Sequence, residues 1–63
     1  MVNNVTIEKA KFLNAEEVAS ILGVSESSAY RIIKKLNNEL KEQGFVIIPG
    51  KISKRYFEQK VMM

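Results

Sequence analysis

The sequence predicts a mostly α-helical domain with three helices and a small β-hairpin. Apolar residues recur at helical spacing on both sides of Gly23. After Gly44 the helical period gives way to a short apolar run that ends in a Pro-Gly dipeptide, and a third amphipathic stretch follows Ser53. A chain of 63 residues is long enough for one domain, so we expect these elements to share one core.

Residues 1–11 precede the first helix and have no sustained hydrophobic period. Val5 and Ile7 alternate with polar residues, which is compatible with a short edge strand or with a flexible arm. We expect the folded domain to span residues 12–63.

The first helix is predicted from its two ends. Asn14 is a favourable N-cap, and Glu17, three residues later, can complete a capping box. Leu13 and Val18 occupy the positions of a hydrophobic staple. Gly23 ends the helix, because glycine adopts the left-handed conformation without steric cost. The apolar face is formed by Val18, Ala19, Ile21 and Leu22.

The second helix begins after Ser25, a second favourable N-cap, and is predicted to continue to Gln43, with Gly44 as its stop. Its apolar residues form a stripe of 3.6-residue period: Ala29, Ile32, Ile33, Leu36 and Leu40. Its outer face carries Ser27, Ser28, Tyr30, Arg31, Lys34 and Lys35.

A hairpin is predicted after the second helix, with residues 45–48 as one strand, 49–50 as the turn and 51–52 as the start of the return strand. The side chains expected to face the core are Phe45, Ile47 and Ile52. Lys51 is expected to point outward. Ser53 can then cap a third helix over residues 54–62, with Phe57 and Val61 one turn apart on its inner face.

The composition argues against several classes of function. The chain has no Cys, His, Asp or Trp, which removes disulfides, the usual zinc ligands and the common nucleophile and base pairs. We therefore expect no enzymatic activity, no metal and no cofactor, and no small-molecule ligand. The start lacks the features of a signal peptide and no apolar run reaches membrane length, so we expect a cytoplasmic protein.

The charge is distributed unevenly. Residues 1–26 carry a net charge of −2, whereas residues 27–63 carry +5. A basic half on a small domain is the electrostatic pattern expected of a protein that binds a polyanion.

The segment around Gly23 predicts a helix-turn-helix. Ala19 is small where the second helix would cross, Val24 would fill the angle between the helices, and Ala29 and Ile32 would pack the second helix onto the first. This packing leaves the N-terminal outer face of the second helix free to enter a DNA major groove. The hairpin tip would then be a wing, which makes the fold a winged helix-turn-helix.

An ordinary helical hairpin without nucleic acid is the alternative interpretation. The outer face argues against it, because no acidic residue lies between Ser27 and Asn38, whereas a merely solubilising face usually mixes charges. A protein-interaction module on the same scaffold remains open as well. In that case Tyr30, Arg31 and Lys34 would bind an acidic partner.

Three stretches resemble the excisionase-type helix-turn-helix family, which is related to the MerR winged-helix group. They are FLNAEEVASILGVS with SAYRII, at residues 12–25 and 28–33, and ISKRYFE, at residues 52–58. Together they span about residues 12–61. The sequence departs from the family pattern in its longer second helix and in a wing tip of Pro49, Gly50 and Lys51 in place of a Gly-Gly-Arg type tip.

The resemblance implies double-stranded DNA as the partner, read by the second helix and contacted along its backbone by the wing. It also implies a recombination directionality factor or a small transcriptional regulator of a phage or integrative element. The further partners it implies are a second copy of the protein on an adjacent DNA site or a recombinase. The candidate base-reading residues are Ser27, Ser28, Tyr30 and Arg31. The candidate backbone contacts are Ser25, Lys34, Lys35, Lys51, Lys54 and Arg55.

Overall fold

The computed structural model describes residues 11–61. The elements in chain order are β1 (Phe12–Asn14), α1 (Ala15–Leu22), α2 (Glu26–Glu42), β2 (Lys51–Ser53) and α3 (Lys54–Val61). Within this range the fold class is confirmed, with three helices and a two-stranded antiparallel sheet. The predictions for residues 1–10 and 62–63 lie outside the described residues. No helix between residues 11 and 61 is long and apolar enough to cross a membrane.

Both ends of α1 are fixed as the sequence predicts. The Asn14 side chain accepts a hydrogen bond from Glu17 N at 2.8 Å, and the Glu17 carboxylate accepts one from Asn14 N at 2.9 Å. At the other end Gly23 has a φ of +70°, and its N–H donates to Ala19 O at 2.8 Å. The capping box and the left-handed glycine therefore set the length of α1 and the direction of the chain into the next helix.

The core lies between α1 and α2 and is closed by the sheet and α3. Ser25 caps α2 by accepting from Ser28 N at 3.2 Å, which orients the helix as it crosses α1. The buried apolar side chains are Leu13, Ala15, Val18, Ala29, Ile33, Leu36, Ile52 and Phe57. Ala29 is completely buried, as expected of a residue that packs α2 onto α1, whereas Ala19, expected at the helix crossing, is half-buried against the same core.

The predicted pairing of the hairpin strands is wrong. The β2 strand pairs with β1, with Leu13 opposite Ile52, and residues 45–48 form no strand. This pairing buries both partners of the central pair, at 9% and 0% exposure. The run from 45 to 48 is apolar at every position, so it lacks the alternation that selects one face of a strand. Phe45, expected to face the core, is 59% exposed, and Ile47 is half-buried.

Three other apolar residues are more exposed than the sequence suggests. Ile21 is 49% exposed because the core side of α1 is centred on Ala15, Val18, Ala19 and Leu22, and Ile21 lies at the edge of that face. Val24 and Val61 are each 38% exposed, the first in the turn and the second at the end of α3. The observed core is therefore smaller than the predicted one at its edges, whereas the predicted residues at its centre are buried as expected.

Candidate nucleic-acid interface

The outer face of α2 presents a row of polar and basic side chains. Ser27, Arg31 and Lys34 are four and then three positions apart, so they lie on the same side of the helix, and all three are exposed. Tyr30, 55% exposed, and Lys35 lie on the two flanks of this row. Buried inner residues of the same helix hold the row outward, where a flat or concave partner can reach it.

The two serines at the helix start are engaged in the cap. Ser25 Oγ accepts a hydrogen bond from Ser28 N and donates one to Ser28 Oγ at 3.1 Å. Ser28 is half-buried, whereas Ser25 and Ser27 are exposed. The structure therefore places Ser27 on the projecting row and Ser28 at the side of the cap.

A tight turn at residues 48–51, the wing turn, follows α2 and leads into β2. Lys51 N donates to Ile48 O at 3.1 Å, which closes the turn. Pro49 occupies its second position, and Gly50, with a φ of +80°, occupies the third, the signature of a type II turn. The predicted Pro-Gly turn is thus confirmed, and it leaves Lys51 exposed.

Asn37 joins α2 to the wing turn and was missed by the sequence reasoning. It is 5% exposed, and its side-chain amide donates to Lys51 O at 2.9 Å and to Ile48 O at 3.3 Å. The available signal was its position on α2, next to Leu36 and four residues after Ile33, where a polar side chain must find partners if it is buried.

A cleft of about 350 Å³ separates α2 from the wing turn. Tyr30 and Lys34 form the helix wall, and Ile47 and Pro49 form the loop wall. A Cβ atom placed on Gly50 would lie 3.9 Å from Tyr30 Cε1, so the turn lies directly beside this aromatic ring. The structure therefore brings the outer face of α2 and the wing turn into one continuous surface.

Two of the candidate backbone residues lie at the start of α3. Lys54 N donates to Lys11 O at 2.7 Å, and the side chain of Lys54 is exposed. Arg55 is also exposed, but it lines a different groove, together with Phe12, Phe45 and Tyr56. The structure does not bring Arg55 to the cleft beside Tyr30.

Glu39 follows the basic row on α2, and its carboxylate contacts two side chains of α3. Tyr56 Oη donates to the Glu39 carboxylate at 2.8 Å, and Lys60 Nζ lies 3.6 Å from the same oxygen. The Tyr56 hydrogen bond, with the charges of Lys60 and Lys35, lowers the pKa of Glu39 below its usual value. The same bond to Glu39 raises the pKa of the Tyr56 hydroxyl. The negative charge of Glu39 is thus balanced within this cluster.

Two helices crossing at a buried alanine, an exposed basic row on the second helix and a wing turn beside it define a winged helix-turn-helix of the DNA-binding class.

The comparisons with known proteins agree with this class. Residues 5–61 match the family described as the Mga helix-turn-helix domain, and the chain belongs to that family. Over 51 residues it is 43% identical to the ICEBs1 excisionase of Bacillus subtilis (strain 168), a match that covers 81% of this chain and 80% of the relative. The resemblance to excisionase-type helix-turn-helix proteins is confirmed. No solved structure matches the chain.

Proposed function

We propose that this protein binds double-stranded DNA in a sequence-specific manner and serves as an excisionase-like directionality factor of a mobile element. The observation that carries the proposal is the exposed row of Ser27, Arg31 and Lys34 on α2, in a stretch from Ser27 to Asn38 that contains no acidic residue. The relative named as an excisionase favours a role in excision over a role in transcription.

In this proposal the N-terminal half of α2 enters the major groove, which is wide enough to admit a helix. Arg31 reads a guanine, because its guanidinium can donate to both O6 and N7. Ser27 and Tyr30 flank it on the same exposed surface, and Ser28 contributes from the side of the cap.

The remaining candidates contact phosphates and fix the register of the protein on the duplex. Lys34 and Lys35 lie farther along α2 than the base-reading residues, where the groove gives way to the backbone. Lys51, the last residue of the wing turn, contacts a phosphate of the DNA strand on the wing side of the cleft. Ser25 and Lys54 complete the proposed set of backbone contacts, whereas Arg55, which lies in another groove, is left out of it.

The proposed activity requires no catalytic residue in this chain, which lacks Cys, His and Asp. Strand cleavage and rejoining in excision would come from a recombinase, which we propose as a protein partner beside the DNA. A second copy of the chain on an adjacent site is the other proposed partner. Both act in the bacterial cytoplasm, where the DNA substrate lies.

The test begins with footprinting of the protein on DNA that flanks its own gene, which supplies a cognate duplex. Affinities of wild type and Arg31→Ala are then measured on the cognate and on a scrambled duplex at one salt concentration. We expect Arg31→Ala to cost about 1–3 kcal/mol on the cognate duplex and much less on the scrambled one.

The matched control is Lys41→Ala, which removes a positive charge from an exposed position near the end of the same helix. It should weaken both complexes slightly and equally. Equal losses on both duplexes for Arg31→Ala would assign this residue to the backbone contacts. The absence of binding to any duplex would favour a protein-interaction module and would contradict the proposed function.

A further inference from the structure

We propose that Asn37 is a positioning residue that holds the wing turn against α2, so that the contact of Lys51 with DNA depends on it. This inference rests on the proposed function and adds to it a residue that need not touch DNA. The underlying observation is geometric: the two carbonyl groups that receive the Asn37 amide belong to Ile48 and Lys51, the first and last residues of the wing turn.

A side-chain amide carries two N–H donors, and here each can serve one end of the turn. The Lys51 O bond is 2.9 Å long and the Ile48 O bond 3.3 Å. Together with the bond from Lys51 N to Ile48 O, they form a closed set that fixes Pro49 and Gly50 at the tip. A single side chain of α2 therefore sets where the tip lies relative to that helix.

Other restraints on this loop are few within residues 11–61. Phe45 N donates to Leu40 O at 3.0 Å, at the beginning of the loop, and beyond it the hydrogen bonds from the loop to α2 are those of Asn37. Val46 is 96% exposed, and Ile47 is half-buried. The apolar contacts of this loop are therefore too few to fix its tip. The two hydrogen bonds from the Asn37 amide hold the tip in place instead.

The position of Asn37 also separates it from the proposed DNA contacts. Only 5% of the residue is exposed, and its donors point to the loop carbonyls, so it has little surface to offer to a duplex. Tyr30 and Lys34, on the adjacent helix wall of the cleft, are exposed. Replacing Asn37 would therefore act on binding through the width of the cleft and the reach of Lys51.

The experiment is a double-mutant cycle between Asn37→Leu and Lys51→Ala, measured on the cognate duplex over a range of salt concentrations. Leucine has the same number of side-chain heavy atoms as asparagine and the same branching at Cγ, but it donates no hydrogen bond. In the wild-type background Lys51→Ala should flatten the slope of log K against log[salt] by about one. We expect Asn37→Leu alone to produce a similar change, and Lys51→Ala to add little further loss in the Asn37→Leu background.

The control is Asn38→Ala, the neighbouring asparagine, which is exposed and bonds neither turn carbonyl. Its effect should add to that of Lys51→Ala. Circular dichroism melts establish that each variant is folded at the assay temperature, and Asn37→Ala serves as the second variant if leucine at this position prevents folding. Faster hydrogen exchange at Lys51 N, with unchanged exchange in α1, would show directly that the turn has loosened.

Additive losses in the cycle, or unchanged exchange at Lys51 N, would overturn the role of Asn37 and leave the proposed DNA binding intact. Failure of the wild-type protein to bind any duplex would overturn both. Loss of binding in Asn37→Leu with an unchanged salt slope would assign the residue to stability rather than to positioning, and would also overturn the inference.

Discussion

Truncation of Ile33 tests the packing of α2 against the rest of the domain. Ile33 is 1% exposed and belongs to the central core cluster, whereas its neighbour Ile32 is only half-buried. Ile33→Ala removes three carbon atoms, which are worth about 2.4 kcal/mol in transfer free energy. The cavity left behind adds to this, so the free energy of unfolding should fall by about 2–5 kcal/mol.

The assay is urea denaturation followed by circular dichroism, with thermal melts in parallel. A loss of about 3 kcal/mol corresponds to a drop in Tm of roughly 12–24 °C for a domain of this size. Ile32→Ala removes the same atoms from a more exposed site, so it should cost about half as much. An equal or greater loss at Ile32, or a loss under about 1 kcal/mol at Ile33, would refute the described packing of α2.

Three further predictions address the turn, the wing and the polar cluster. Gly23→Val should destabilise the domain by about 1–3 kcal/mol in urea denaturation, because φ is +70° and a β-branched residue is strained there. Gly23→Asn should cost less, because asparagine tolerates the left-handed conformation better. Lys51→Ala should weaken binding to cognate and scrambled duplexes by the same factor in a fluorescence titration, as a phosphate contact requires. The lowered pKa of Glu39 in the folded state contributes stability above its usual pKa, and this stability is lost as the pH falls through the lowered value. Thermal melts between about pH 6 and pH 3 should therefore show a steeper loss for wild type than for Glu39→Gln, with Tyr56→Phe between them.

Local signals made the helices predictable. The caps at Asn14, Gly23 and Ser25 each depend on residues within one turn, so their chemistry can be read from the sequence without knowledge of the fold. The exposed row on α2 follows from the helical period in the same way. These local features therefore predict which side of α2 is exposed.

The strand pairing could not be predicted in this way. Residues 45–48 are close in sequence to β2 and strongly apolar, but β2 pairs with β1, which lies far away along the chain. The choice between the two partners depends on which pairing buries Leu13 and Ile52 together, a property of the whole core. The hydrogen bonds of Asn37 could not be predicted for the same reason. Its partners are loop carbonyl groups, and their position depends on that strand pairing.

The separation of Arg55 from the cleft is likewise a consequence of tertiary structure. In the sequence Lys54 and Arg55 follow the wing turn closely and share its positive charge. In the fold, α3 carries Arg55 toward Phe12 and Phe45, into another groove. The distribution of charged residues along the sequence therefore predicts that this half of the domain is positively charged. It does not predict on which face of the fold each charged side chain lies.

The salt dependence of binding to the cognate duplex tests the central claim most directly. Lys34, Lys35, Lys51 and Lys54 are all exposed, and about four phosphate contacts from this set would give a slope of log K against log[salt] of about −4. A fluorescence titration of the full chain from about 50 to 200 mM salt measures this slope. A slope near −4 on the footprinted site agrees with a DNA-binding surface built on α2 and the wing turn, whereas a slope near zero would contradict it.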